Sequence, residues 1–274
     1  MGTYKPALSP SRAKDYKQCP LKFRFAVVDR RPTKPTEATA KGTLVHAVLE
    51  ELFQVPPAQR TLEYASEMVA SAWQTLISNR PETMTVITGK VTENGLLEDA
   101  KVLLAGYFQL ERPQNLKPFR CEGNVQATLT SGLRLRGIID RIDQAPNGAL
   151  RVIDYKTGKA PSNRFIDEAL FQMRFYALLL QETESLPARM QLLYLKSGQV
   201  LTLDPTKEDI NAFENEINLL WENIKTDLNT DGFKPKTGPL CNWCDFKPIC
   251  PAFGGETERA DPADLERVLA IQDA

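Results

Sequence analysis

Near Glu122 the hydrophobic period of this chain changes from that of a helix to that of a strand, and this switch limits its architecture most. Residues 125–129, 133–142 and 150–155 alternate or run apolar, and Ser131-Gly132 and Pro146-Asn147-Gly148 separate them. Three such runs with short turns predict an antiparallel meander. A helical period follows at about 165–181, then a strand at 189–196 with 199–203 as its candidate partner. A long amphipathic helix covers about 206–228. Before the strands, Ser9-Pro10 reads as a cap and first turn of a helix to about Gln18, closed by Cys19-Pro20. Leu44, Val45, Val48, Leu49 and Leu52 share one face of a helix over 38–53, and two more amphipathic helices lie near 60–79 and 95–111.

The pattern predicts an α/β protein with one mixed sheet flanked by helices. Residues 1–255 read as a single domain, with a helical layer at about 38–115, a core at about 118–203, and a C-terminal helix and cysteine segment at 206–254. Residues 256–274 read as an acidic tail, a short helix or partly disordered.

Composition removes several functions. The chain has one His in 274 residues, so no His-Glu-Xaa-Xaa-His zinc site and no three-histidine centre is possible. Neither Gly89-Lys90 nor Gly158-Lys159 sits in a phosphate-loop pattern, so the chain is not itself an ATP-driven motor. There is no apolar run of about 20 residues and no apolar signal core, so a soluble, cytoplasmic protein without a membrane partner is expected. The net charge of −1 hides an uneven distribution. Residues 1–41 carry ten Lys/Arg against three acids, whereas 204–231 carry eight acids against Lys207 and Lys225. The acidic stretch reads as a solvated helix face. The basic one, with Phe23 and Phe25 between its cations, reads as a phosphate-binding surface or a solvated face. Arg134, Arg136, Arg164 and Arg174 are further candidates for phosphate contact.

The segment Gly137-Ile-Ile-Asp140-Arg-Ile-Asp143 is followed, at hairpin distance, by Val152-Ile-Asp154-Tyr-Lys156. Each run is apolar until its aspartate. In a hairpin the two ends lie side by side, and Asp154 and Lys156 face the same way. Two carboxylates can hold Mg²⁺ or Mn²⁺, and a lysine can orient a water and offset developing charge. A cross-strand ion pair would use the same residues. His46 is an apt third metal ligand or a structural histidine; Glu50, one helical turn on, reads as solvated. Gln172 and Tyr176 lie one turn apart on an otherwise apolar helix, suited to a nucleic-acid strand or to helix-edge hydrogen bonds.

Gly42-Xaa3-His46, Gly137-Xaa2-Asp140, Asp154-Xaa-Lys156 and Gln172-Xaa3-Tyr176 resemble, in order and spacing, the motif series of RecB-type exonucleases of the PD-(D/E)XK nuclease superfamily. The resemblance runs from about Leu8 to Phe253. It implies a restriction-endonuclease-like core in which His46, Asp140, Asp154 and the backbone carbonyl of Tyr155 bind the metal. By the same resemblance Lys156 is catalytic, beside Asp140 and Asp154, and Gln172 and Tyr176 position the strand or support the site.

Cys241-Xaa2-Cys244-Xaa5-Cys250 supplies three thiols, and Cys19, also followed by Pro, is the natural fourth; Cys121 reads as a free thiol. Spacing fits a structural zinc as well as a [4Fe-4S] cluster. The arrangement is similar to that of AddB-like and CRISPR-adaptation nucleases, which implies a [4Fe-4S] cluster pinning the C-terminal segment to the N-terminal helix. The reading that emerges is a metal-dependent DNA exonuclease acting in repair or recombination on single-stranded or frayed ends, with a helicase as a possible partner in trans. The alternatives are a cluster-stabilised DNA-binding or scaffold subunit of a helicase–nuclease complex that performs no chemistry, and a zinc-ribbon interaction protein. Oligomeric state is not readable from the residues.

Overall fold

Five of the helices begin on a Ser or Thr whose hydroxyl accepts a backbone N–H three residues on, and these caps set where the helices start. The computed structural model describes residues 6–162 and 166–272. Helix α1 is Pro10–Gln18, and α2 is Pro20–Phe23, followed by one wide turn over Arg24–Val28. Pro20 thus restarts the helix that Cys19, in an extended conformation, interrupts. Helices α3 (Glu37–Leu52), α4 (Leu62–Asn79) and α5 (Glu93–Leu110) form the helical layer.

Strands β1 (Pro118–Thr128), β2 (Arg134–Gln144) and β3 (Leu150–Lys156) form the expected meander. Helix α6 (Ile166–Thr183) crosses over to β4 (Arg189–Tyr194), which runs parallel to β3, and β5 (Gln199–Leu203) returns antiparallel. The sheet is therefore mixed, in the order β1-β2-β3-β4-β5. Helices α7 (Lys207–Thr230) and α8 (Pro262–Leu269) complete the chain.

Alternation along the strands feeds two cores. Ile153, Tyr155, Leu193 and Leu195 join α3, α4 and α5. Val152, Leu192 and Tyr194 join α1, α6 and α7 on the other face. The segment read as an acidic tail docks on this second core: Val268 and Ile271 are fully buried, and Arg267 donates to the carbonyls of Val27 and Val28. Strand β1 starts earlier than its alternating pattern does, because Pro118, Arg120 and Cys121 already pair with β2.

Candidate active site

The sheet parts along one edge of β2. That edge pairs with β3 from Arg141 to Gln144, and at Arg134–Arg136 it pairs instead with Leu8, whose N–H donates to Arg134 (2.8 Å) and whose carbonyl accepts from Arg136 (2.8 Å). Between these two partners lies a gap at residues 137–140. Asp140 sits at its inner end, where its Oδ2 accepts the N–H of Tyr155 at 2.6 Å, the first backbone donor beyond the β2–β3 ladder. Asp140 and Asp154 therefore meet where the ladder ends, as the hairpin pattern predicts.

Asp154 is only 4 % exposed and faces α6. Lys156 Nζ is 2.5 Å from Asp154 Oδ2 and donates to Gln172 Oε1 at 2.9 Å. Gln172 in turn donates to Asp154 Oδ1 (2.9 Å) and to Tyr176 Oη (3.1 Å). Burial, and then the charge of Asp140, raises the Asp154 pKa against the pull of Lys156. Gly137 makes room for this helix: a Cβ there would stand 2.8 Å from Tyr176 Cε1.

His46 reaches the same point from α3 on the opposite face. Its Nδ1 is 3.3 Å from Asp140 Oδ1, and its Nε2 is 2.9 Å from the Tyr155 carbonyl oxygen. Burial opposes its charge, but the hydrogen bond and charge of Asp140 outweigh that and push it up to about 9. The residue that sequence reasoning missed is Glu122. One ligand atom each from His46, Glu122 and Asp140 lie within 4.8 Å of one another, a donor set of imidazole and carboxylates that fits a single divalent ion. Glu122 has φ +44°, a strained conformation for a residue other than Gly. It sits where β1 changes face: Val125 and Ala127 enter the α6-side core, whereas Cys121, of the same parity, packs on the helical layer. Burial, then the charges of Asp140 and Glu50, pushes the Glu122 carboxyl up to about 7. Glu50 itself is exposed, as expected.

Tyr155 is held from behind by Arg141, which is fully buried. The guanidinium donates to Tyr155 Oη (2.8 Å), to both oxygens of Glu111 (2.8 and 2.8 Å) and to Asp143 (3.0 and 3.2 Å). Arg151 shares Asp143 at 2.6 Å. The network ties α5 to the strand whose carbonyl faces His46.

Cys19, Cys241, Cys244 and Cys250 line one cavity of 180 Å³ together with Phe25 and Phe246, whose rings are 5.4 Å apart. Backbone N–H groups of Lys236 and Gly238 donate to the sulfurs of Cys19 (3.3 Å) and Cys241 (3.4 Å). The four thiols, two backbone donors and apolar walls fit a thiolate-bound centre. Cys121 stands apart on the helical-layer side, and burial pushes its thiol up to about 11.

Much of the basic segment is engaged internally. Lys17 pairs with Glu216, Lys22 with Asp15, Arg24 with Asp29 and Asp231, Arg30 with Asp264, and Lys41 with Glu37 and Asp99. Arg134 donates to the carbonyls of Pro6 and Ala270. Long-range partners thus occupy many of the cations expected to face phosphates; Lys5 and Arg164 lie outside the described residues.

A mixed sheet that parts beside two aspartates, with a lysine two residues past the second, is the arrangement of a divalent-metal nuclease core. The chain belongs to the PD-(D/E)XK nuclease superfamily, whose family model matches residues 7–251; nucleases of this superfamily use divalent metal ions. It is 25% identical over 276 residues to the gene 69 protein of Mycobacterium phage D29, covering 90% of this chain and 97% of that protein. It is 30% identical over 142 residues to one component of the ATP-dependent helicase/deoxyribonuclease of Streptococcus pyogenes serotype M1, covering 50% of this chain but 12% of that one. Its fold is similar to that of a Eubacterium rectale protein, named provisionally as an exonuclease, with TM-score 0.56, 12% identity, and coverage of 87% of this chain and 86% of that one. Among the described residues no helix is long and apolar enough to cross a membrane.

Proposed function

We propose that the protein is a RecB-type DNA exonuclease that hydrolyses phosphodiester bonds at the gap in the sheet, in DNA repair or recombination in the cytoplasm. The observation that carries this reading is the Asp154–Lys156–Gln172 triangle set against Asp140 and His46. A module that only binds DNA has no use for a buried carboxylate, 4 % exposed, kept ionisable beside a lysine. His46, Glu122, Asp140, Asp154 and the Tyr155 carbonyl would hold Mg²⁺ or Mn²⁺. Such an ion, when bound, acts as a Lewis acid on the phosphate and lowers the pKa of water. Asp154 fixes the Lys156 ammonium, which neutralises charge developing on the phosphate and orients the attacking water. Gln172 bridges Lys156 and Asp154 through both ends of its amide, so neither rotates away, and Tyr176 anchors Gln172.

The cysteine cavity is read as a [4Fe-4S] site. Four thiols in one apolar-walled cavity, two of them accepting backbone N–H groups, suit a cluster held by four cysteines, and the cysteine order resembles that of cluster-bearing nucleases. A helicase acting in trans fits an enzyme that needs free strands. The test is digestion of DNA labelled at either end, single- or double-stranded, with Mg²⁺ or Mn²⁺. Shortening from one end, lost in EDTA, is expected. No cleavage by anaerobically prepared, iron-loaded protein with either metal would leave the DNA-binding scaffold.

A further inference from the structure

A second opening adjoins the carboxylates and is not used by them. It is a pocket of 350 Å³ between the N-terminal segment and the sheet, lined by Ser9, Ser11, Lys14, Asn124, Arg136 and Ile138. Gln172 and Tyr176 form its inner wall, so it is continuous with the Asp154–Lys156 pair. It occupies the outer part of the gap in the sheet, toward the Leu8 pairing rather than the β3 pairing.

Its chemistry is that of a nucleotide site. Lys14 is half-buried, yet among the described residues no acid lies within ion-pair distance of it, unlike Lys17 and Lys22 on the neighbouring turns. Burial, and then the charge of Lys156, lowers its pKa, with Glu168 and Asp154 pulling the other way, and an anion held between the two lysines would offset their mutual repulsion. The Ser9 and Ser11 hydroxyls stand 3.0 Å apart at the start of α1. Ile138 is 58 % exposed on a strand whose other apolar residues are buried, and offers a flat apolar surface beside the polar groups. The volume suits about one nucleotide and not a duplex.

We propose that this pocket seats the nucleotide adjoining the scissile bond, with its internal phosphodiester phosphate on Lys14 and Arg136 and its sugar and base against Ile138, so that the strand at this point is single. The assignment rests on the nuclease reading of the neighbouring carboxylates. It gives Lys14 a binding role that the ion-paired cations of the same segment do not have.

Two measurements decide it. In the first, a labelled single-stranded oligonucleotide is titrated into wild type and Lys14→Ala in EDTA over a range of salt. Affinity is expected to fall roughly tenfold, as for one lost charge-assisted hydrogen bond. The log–log salt slope is expected to fall by about one. Lys17→Ala makes the same change in formal charge one turn away and leaves both values as in wild type. Lys14→Arg restores them, and Lys14→Gln repeats the loss should the alanine variant fold poorly. In the second, the strand carries one methylphosphonate beside the scissile bond. Wild type is slowed roughly tenfold by the neutral linkage, and Lys14→Ala is slowed no further. Unchanged affinity and slope in Lys14→Ala would overturn the pocket while leaving any cleavage by wild type intact. Dependence on a terminal phosphate instead of the internal one would overturn it too. Wild type that shows the binding pattern but cleaves nothing would keep a nucleotide pocket at Lys14 but defeat the nuclease and, with it, the pocket's place beside a scissile bond.

Discussion

Gly137 and Tyr176 fit together as socket and plug: a Cβ on Gly137 would lie 2.8 Å from Tyr176 Cε1 and 2.9 Å from Leu179 Cδ1. The glycine of the Gly-Xaa2-Asp motif is thereby explained by packing, three residues before the aspartate. Gly137→Ala should displace Tyr176 and, through it, Gln172. Overpacking of this kind destabilises by about 1–3 kcal/mol. Cleavage should fall more than thermal stability does, and Gly137→Ala combined with Tyr176→Phe should lose little beyond the single change.

Asp140→Ala, Asp154→Ala and Lys156→Ala should each abolish cleavage, by roughly a thousandfold or more, because groups that act as one unit lose non-additively. DNA binding and folding should persist in all three. Wild-type-like cleavage by Lys156→Ala would remove its assigned role.

Arg141 is 0 % exposed and serves Glu111, Asp143 and Tyr155 at once. Arg141→Ala leaves two half-buried carboxylates without their main cation. Breaking a buried pair in this way costs about 3–5 kcal/mol. Urea unfolding should show a loss of unfolding free energy of that order, larger than for removal of the exposed Arg189–Asp204 pair.

The metal-free protein should lose stability as pH rises from about 5 to about 9. Glu122 is raised to about 7 and His46 to about 9, so in both windows the native state binds more protons than the unfolded chain. Divalent ion should reverse the trend, since the ligands must lose their protons to bind it. Melting curves in EDTA and in Mg²⁺ across this range check the sign; parallel curves would mean that these groups do not hold the ion.

Protein prepared without oxygen should contain about four irons per chain. Cys19→Ala or Cys250→Ala should lower iron content and soluble yield, and Cys121→Ala should change neither. Stoichiometric zinc without iron would make the cysteines a zinc staple.

The alternating strands, the two aspartates and the Gln172–Tyr176 pair could be read from the chain because each depends on neighbours a few residues away. Glu122 could not. A lone acid just before the apolar run carries no spacing signal, and its left-handed backbone follows from the sheet changing face. The fate of the basic segment was equally hidden, since Lys17–Glu216 and Arg30–Asp264 join residues about two hundred positions apart. Arg141 lies between Ile-Asp140 and Ile-Asp143, where composition suggests a solvated cation; only α5 crossing behind β3 makes it the centre of a buried network.

Leu8 and Ile271 both hydrogen-bond to Arg134, so the two ends of the described chain are fastened side by side to one residue of β2. The backbone is in effect a closed ring. A short linker joining the ends should therefore allow a circular permutant opened at the exposed Pro146-Asn147-Gly148 turn to fold with its carboxylates undisturbed. Leu8 and Ile271, fastened to Arg134, thus lie about 20 Å along β2 from Asp140 at strand rise.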